Sequence, residues 1–195
     1  MQEGSSTNFQ EVSTTFSVPF TSYNGANSSN YLFIWAGLGG FEGMNGFWQA
    51  GIEINYTNAQ TILYTPWYLS GNTHGCTFVY HHPFPVGQND SIVIHLNTND
   101  GYIDDLTSQA YWSFNNPNGY VNMTTAEWIA EPAWGAPMYL TQPLNFSSEY
   151  VNNAQVHFFG AFLVISGAYA DGEDLFPSVV CTPSATSFVV ASVPS

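Results

Sequence analysis

Segments of five to ten residues rich in Val, Ile, Phe, Tyr, Trp and Thr recur along the whole chain. Gly, Pro, Asn and Asp punctuate them, and no stretch carries a helical period. This is the pattern of an all-β sandwich or barrel. Strands are predicted at 12–20, 31–38, 47–56, 61–69, 76–82, 91–97, 108–114, 124–131, 179–181 and 186–193, with a short one at 138–140. The glycine-rich run 39–46 and the Asn99-Asp100-Gly101 step read as a loop and a turn. The apolar run 155–166 is expected to lie deep in the fold. With no linker, repeat or shift in composition, residues 1–195 are expected to form one domain. Residues 1–10 are expected to be a loose N-terminal arm.

Charge sets the second constraint. The chain has 14 Asp and Glu, 5 His and no Lys or Arg, giving a formal charge of −14 at pH 7. Ordinary chains carry roughly a quarter charged residues of both signs. Here unlike-charge pairs are nearly impossible at neutral pH, and self-repulsion goes uncompensated. At about pH 2–3 most carboxyls are neutral and the histidines are charged. The composition therefore reads as adaptation to acid, or alternatively as an anionic surface that avoids polyanions. The absence of basic side chains argues against nucleic acid and anionic membranes as partners. No apolar run reaches 18 residues, so no membrane insertion by a helix is expected. Lysine-dependent covalent chemistry is excluded, and neither Asp-Thr-Gly, Gly-x-Ser-x-Gly nor His-Glu-x-x-His occurs.

Two strands concentrate chemistry. In 124–131 a period of two puts Thr125, Glu127, Ile129 and Glu131 on one face and Ala126, Trp128 and Ala130 on the other. A carboxyl beside isoleucine and tryptophan has its pKa raised by desolvation and can exchange protons. In 47–54, Gln49 shares a face with Gly51 and Glu53, and Gly51 admits a close approach of backbone or ligand. Glu127 and Glu131 lie about 13 Å apart along a strand, too far for a glycosidase pair. His81 and His82 point to opposite faces in a strand, so with His74 they make a poor metal site; no metal or cofactor is expected. Asp104-Asp105 likewise reads as a solvated loop. Gln49 and Glu127 could also serve only as structural hydrogen-bond partners.

Four blocks in order, Trp35-Ala36-Gly37-Leu38-Gly39-Gly40, Trp48-Gln49-Ala50-Gly51-Ile52-Glu53, Tyr64-Thr65-Pro66-Trp67-Tyr68 and Ala126-Glu127-Trp128-Ile129, resemble the eqolisins, acid-acting glutamic peptidases. The resemblance runs from about Val12 to the C-terminus. It implies an all-β sandwich of two long antiparallel sheets of the concanavalin or lectin-like jelly-roll kind, acid endopeptidase activity insensitive to pepstatin, and a catalytic dyad at Gln49 and Glu127. Trp35, Glu53, Trp67, Tyr68 and Glu131 are then expected to line the substrate cleft or support the dyad. The chain departs from the family pattern where Gly39 and Leu69 replace acids, where Glu53 replaces Asp, and where Phe9 stands at the position of a cleft tryptophan. Polypeptide substrates, a monomeric state and an acidic extracellular setting are the corresponding expectations.

Cys76 and Cys181 either form a disulfide, worth at most about 4.7 kcal/mol by chain entropy, or remain free buried thiols. Five Asn-x-Ser/Thr sequons, at Asn27, Asn55, Asn89, Asn122 and Asn145, are N-glycosylation acceptors in a secreted chain. The alternative from another class is a non-catalytic surface or filament subunit, or a carbohydrate-binding sandwich. The six tryptophans would supply sugar-stacking faces in the latter unless they fill the core.

Overall fold

A computed structural model describes residues 9–22, 30–39, 46–58, 61–72, 75–119, 125–133, 139–140, 144–152, 154–155, 169–170, 173–174, 179–183 and 187–192, none of them helical. The first strands are β1 (Glu11–Ser17), β2 (Thr21–Ser22), β3 (Asn30–Gly39), β4 (Gly46–Asn58), β5 (Thr61–Asn72) and β6 (Gly75–Tyr80). They are followed by β7 (Ser91–Asn97), β8 (Asp100–Asp105), β9 (Ala110–Asn115), β10 (Ala126–Ala133), β11 (Tyr139–Leu140) and β12 (Leu144–Val151). The last are β13 (Ala154–Gln155), β14 (Tyr169–Ala170), β15 (Glu173–Asp174), β16 (Val179–Pro183) and β17 (Ser187–Ser192).

Among the described residues these make a five-stranded sheet, β10-β3-β4-β5-β6, and an eight-stranded sheet, β16-β17-β12-β1-β7-β8-β9 with β13 beside β12. Two small pairs, β2 with β11 and β14 with β15, complete them. Every pairing is antiparallel. The expected sandwich of two antiparallel sheets is therefore the observed fold.

Period-two alternation builds the core. β1 turns Val12, Thr14 and Phe16 inward, and β7 turns Ile92, Ile94 and Leu96 inward. Opposite them β3 contributes Leu32, Ile34, Ala36 and Leu38, and β4 contributes Trp48, Ala50, Ile52 and Ile54. Burying each of the larger side chains stabilises the fold by about 1.5–3 kcal/mol. Pro66 sits inside β5 without breaking it. Its carbonyl accepts the His81 N–H at 3.0 Å, and the missing N–H faces β6 only where that strand has ended at Tyr80.

Several strands depart from expectation. β12 was not anticipated, because Asn145, Ser147 and Ser148 dilute its apolar content; yet Leu144 and Phe146 are fully buried and Phe146 meets Phe16 with ring centroids 5.7 Å apart. β10 continues through Pro132 to Ala133, into what read as a connection. Phe9, assigned to a loose arm, packs against the core, and the Gln10 N–H donates to Asn152 Oδ1 at 2.7 Å. The apolar run 155–166 lies outside the described residues beyond Gln155. Cys76, on edge strand β6, is exposed with a free thiol, so of the two alternatives for the cysteines it takes the unbonded one, but not the buried one. Cys181 lies on β16, at an edge of the other sheet, and its side chain is outside the described residues. Asn89 and Asn145 are exposed, Asn55 is half-buried within β4, and Asn27 and Asn122 fall outside the described residues.

The largest correction concerns Asp104-Asp105, which ends β8 and is not a solvated loop. Asp105 is fully buried and accepts hydrogen bonds from the Thr107 N–H (2.9 Å), the Ser108 N–H (3.2 Å) and the Ser108 hydroxyl (2.7 Å). Asp90 lies beside it and accepts the Gly87 N–H at 2.6 Å. Burial pushes the Asp90 carboxyl above its ordinary range; the charge of Asp105 and a hydrogen bond between the two carboxyls act the same way, against the Gly87 N–H. A raised native pKa means that folded protein holds a proton the unfolded chain releases. That contribution to stability is complete below the unfolded value of about 4 and is lost as pH rises through the folded value. Among the described residues one ion pair, His95 with Glu11 at 3.5 Å, is available to be lost in acid. The melting temperature is therefore expected to be higher at pH 3 than at pH 7. Asp90→Asn, which keeps an acceptor for Gly87 and gains a donor for Asp105, should raise the pH 7 value by on the order of 2–4 °C. A melting temperature that climbs from pH 3 to pH 7, or falls at pH 7 in Asp90→Asn, contradicts this account.

Candidate functional site

β10, β3 and β4 run side by side, and their register sets Glu127 opposite Gly37 and Gly37 opposite Gln49. The same row continues through Leu69 on β5 to Phe78 on β6. Glu127 and Gln49 thus flank a residue with no side chain, their backbones roughly 10 Å apart across two strand spacings. This row is on the face turned away from the second sheet, since the alternate residues Leu38, Trp48 and Ala126 enter the core.

Gly37 decides how close the two can come. A Cβ there would stand 2.9 Å from Gln49 Cγ and 2.8 Å from Trp35 Cζ3. The Gln49 side chain therefore already leans over Gly37 toward β10, with the Trp35 indole against it. Glu127 is half-buried, and its Oε1 accepts a hydrogen bond from the Thr125 hydroxyl at 3.1 Å. Its strand is held at two further points. The Gly39 N–H donates to the Thr125 carbonyl at 2.9 Å, and the inward-facing Trp128 indole donates to the Ser13 carbonyl of β1 at 3.2 Å.

The next row on this face is Ile129, Trp35, Gly51, Trp67 and Tyr80. Trp35 and Trp67 are both buried, and among the described residues neither indole N–H has a hydrogen-bond partner. Gly51 does admit a close approach, but the neighbouring strand takes it: a Cβ there would lie 2.2 Å from the Ile34 carbonyl oxygen and 2.6 Å from Trp35 Cβ. The third row holds Glu131, Phe33, Glu53 and Thr65. Glu131 shares the face by register alone, its side chain lying outside the described residues. Glu53 is buried, and the Tyr80 hydroxyl donates to its Oε2 at 2.5 Å. Burial pushes the Glu53 carboxyl above its ordinary range, against hydrogen bonds from Tyr80 and Asn55 and the nearby His82. A carboxyl so placed is neutral in acid.

Six of the seven residues singled out by sequence thus fall on one face. Tyr68 does not: one position along from Trp67, the pleat turns it into the interior, where its ring meets those of Trp48, Trp112 and Phe114. Phe78 and Tyr80, on the same face as Gln49 and Glu127, were missed. The alternation Thr77-Phe78-Val79-Tyr80 placed them on one face together, but nothing in the sequence tied that face to Gln49. His81 stacks on Trp112 with centroids 4.7 Å apart, whereas His82 neighbours Tyr80 at 6.2 Å, so the two histidines do diverge. Of the departures from the family pattern, Gly39 has φ 72°, a conformation that favours glycine. Leu69 sets an apolar side chain opposite Gln49. Trp35, Trp48 and Trp67 are buried and Trp112 and Trp128 pack against the core, so these five present no open platform for sugars.

Known proteins share this architecture. Scytalido-glutamic peptidase, solved with a transition-state analogue inhibitor, superimposes with a TM-score of 0.70 at 19% identity, over 96% of this chain and 94% of that one. SCP-B, a member of the eqolisin family of peptidases solved with the tripeptide Ala-Ile-His, gives 0.69 at 18% identity over the same shares. Aspergilloglutamic peptidase from Aspergillus niger gives 0.60 at 17% identity, over 84% of this chain and 99% of that one. No curated protein sequence matches the chain. The model of the Peptidase A4 family matches residues 1–170 of the 195. The chain belongs to that family of peptidases, the eqolisins that its four sequence blocks resemble.

Proposed function

We propose that the protein is a glutamic endopeptidase that cleaves polypeptides in acid with Glu127 and Gln49 as its dyad. The observation that carries this reading is the row Glu127–Gly37–Gln49, in which an acid and an amide face each other across a residue without a side chain. Glu127, as carboxylate, takes a proton from a water whose oxygen attacks the scissile carbonyl carbon. The Gln49 amide positions that water and donates to the developing oxyanion, a preorganised contact of a kind worth about 2.7–4 kcal/mol. Protonated Glu127 then gives its proton to the leaving nitrogen as the C–N bond breaks. Water, carboxyl and amide suffice, so no step draws on a cofactor. The absence of basic side chains fits work in an acidic, extracellular setting, where pairing with carboxylates would bring little.

Cleavage of a denatured polypeptide at pH 2–4 should persist in the presence of pepstatin and of metal chelators. Gln49→Ala should lower kcat/KM by roughly 10²–10³-fold. Inhibition by pepstatin or by chelation, or a Gln49→Ala enzyme within a fewfold of the parent, would overturn the assignment.

A further inference from the structure

Beyond the dyad, edge strand β6 presents two large rings on the same face. Phe78 is 42% exposed and Tyr80 41% exposed, while the Trp67 ring beneath them is covered and Phe33 is half-buried. Phe78 ends the row of Glu127, Gly37, Gln49 and Leu69, two strand spacings or roughly 10 Å from Gln49. The rings form a connected wall. Phe33 meets Trp67 edge-on at 5.4 Å, Trp67 meets Phe78 at 5.4 Å, and Phe78 meets Tyr80 edge-on at 4.6 Å. The Tyr80 hydroxyl is tied to the buried Glu53 carboxyl at 2.5 Å, which fixes that ring and, through it, Phe78. Exposed aromatic surface held rigid beside a candidate active site loses little conformational freedom when a ligand covers it.

We propose that Phe78 and Tyr80, backed by Trp67 and Phe33, form a subsite that selects a large apolar or aromatic side chain of the substrate near the scissile bond. The proposal rests on the peptidase reading and deepens it. The wall offers ring faces and edges but no free charge: Glu53 lies beneath it, buried and engaged by Tyr80. A Lys or Arg side chain therefore finds no free carboxylate to pair with at this wall. An extended substrate advances about 3.3 Å per residue, so a side chain reaching this wall belongs within about three residues of the bond cut.

The test is a peptide library randomised on both sides of the cleavage point, digested at pH 3 and read by mass spectrometry. It compares the parent, Phe78→Ala, Phe78→Leu and, as a remote control, Leu106→Ala in the exposed turn after β8. The parent should show one position enriched in Phe, Tyr, Trp, Leu or Met and depleted in Lys and Arg. Phe78→Ala should reduce that enrichment by about tenfold or more, the scale on which hydrophobic pockets discriminate. Phe78→Leu should keep a preference for apolar over polar side chains, and Leu106→Ala should match the parent. Cleavage whose preferences are the same in the parent and Phe78→Ala overturns the subsite while leaving the peptidase reading intact. A folded parent that cleaves no peptide overturns both.

Discussion

Glu127→Gln is expected to lower kcat/KM on a denatured polypeptide at pH 3 by roughly 10³-fold, within the range that a positioned acid–base group supplies. The substitution keeps size and shape. A glutamine oxygen still accepts the Thr125 hydroxyl that now reaches Glu127 Oε1 at 3.1 Å. The Trp128 bond to Ser13 and the Gly39 bond to Thr125, which hold β10 in place, are untouched. Loss of activity should therefore come without loss of fold, and the melting temperature at pH 3 should stay within a few degrees of the parent. The measurement is paired, with initial rates over a substrate range and a thermal melt on the same preparations. A Glu127→Gln enzyme within tenfold of the parent would remove Glu127 from the chemistry.

What the sequence made legible, and what it did not, follows from how β-structure stores information. Period-two alternation showed which residues of one strand share a face, so Glu127 with Glu131, and Gln49 with Glu53, were correctly grouped. Partnering between strands is not written in any one of them. That β3 lies between β10 and β4, and that Gly37 stands between Glu127 and Gln49, emerged only from the register. Tyr68 shows the cost of grouping by block when the pleat reverses at each step: it went to the cleft with Trp67 but belongs to the core. Asp105 shows how polarity misleads. An acid at a strand end reads as solvated, yet three donors from the following turn let it be fully buried. β12 was obscured in the same way, because its outward positions are polar and only Leu144 and Phe146 report its burial. The roles proposed for Gln49 and Glu127 came from family resemblance, since a glutamine and a glutamate in separate strands carry no spacing that distinguishes catalysis from structure.

The two glycines of the site should respond differently to alanine, and the contrast separates architecture from chemistry. At Gly37 the new methyl meets side chains, Trp35 Cζ3 at 2.8 Å and Gln49 Cγ at 2.9 Å, which can shift by several tenths of an ångström. The stability cost should be about 1–3 kcal/mol, ordinary for overpacking. The catalytic cost should be larger, because the displaced group is the Gln49 amide: about 10²-fold in kcat, the penalty expected for misplacement on the ångström scale. At Gly51 the methyl would meet a main-chain oxygen, Ile34 O at 2.2 Å, inside a paired strand. There the strands themselves must move, so Gly51→Ala should chiefly lower the melting temperature or the yield of folded protein. Rates should be taken at a temperature well below both melts. Gly37→Ala with full activity, or Gly51→Ala with full stability, would show that the space over β3 does not have the role assigned to it.

Hydrolysis of peptide bonds in acid, the activity proposed for this sandwich, can be put to one direct assay. Protein whose fold is confirmed at pH 3 by circular dichroism is incubated with a denatured polypeptide at that pH, and the products are resolved by mass spectrometry, with Glu127→Gln prepared and treated identically. The account predicts new internal fragments from the parent and an intact substrate from the variant. An intact substrate from the folded parent, or equal fragments from both, would contradict it.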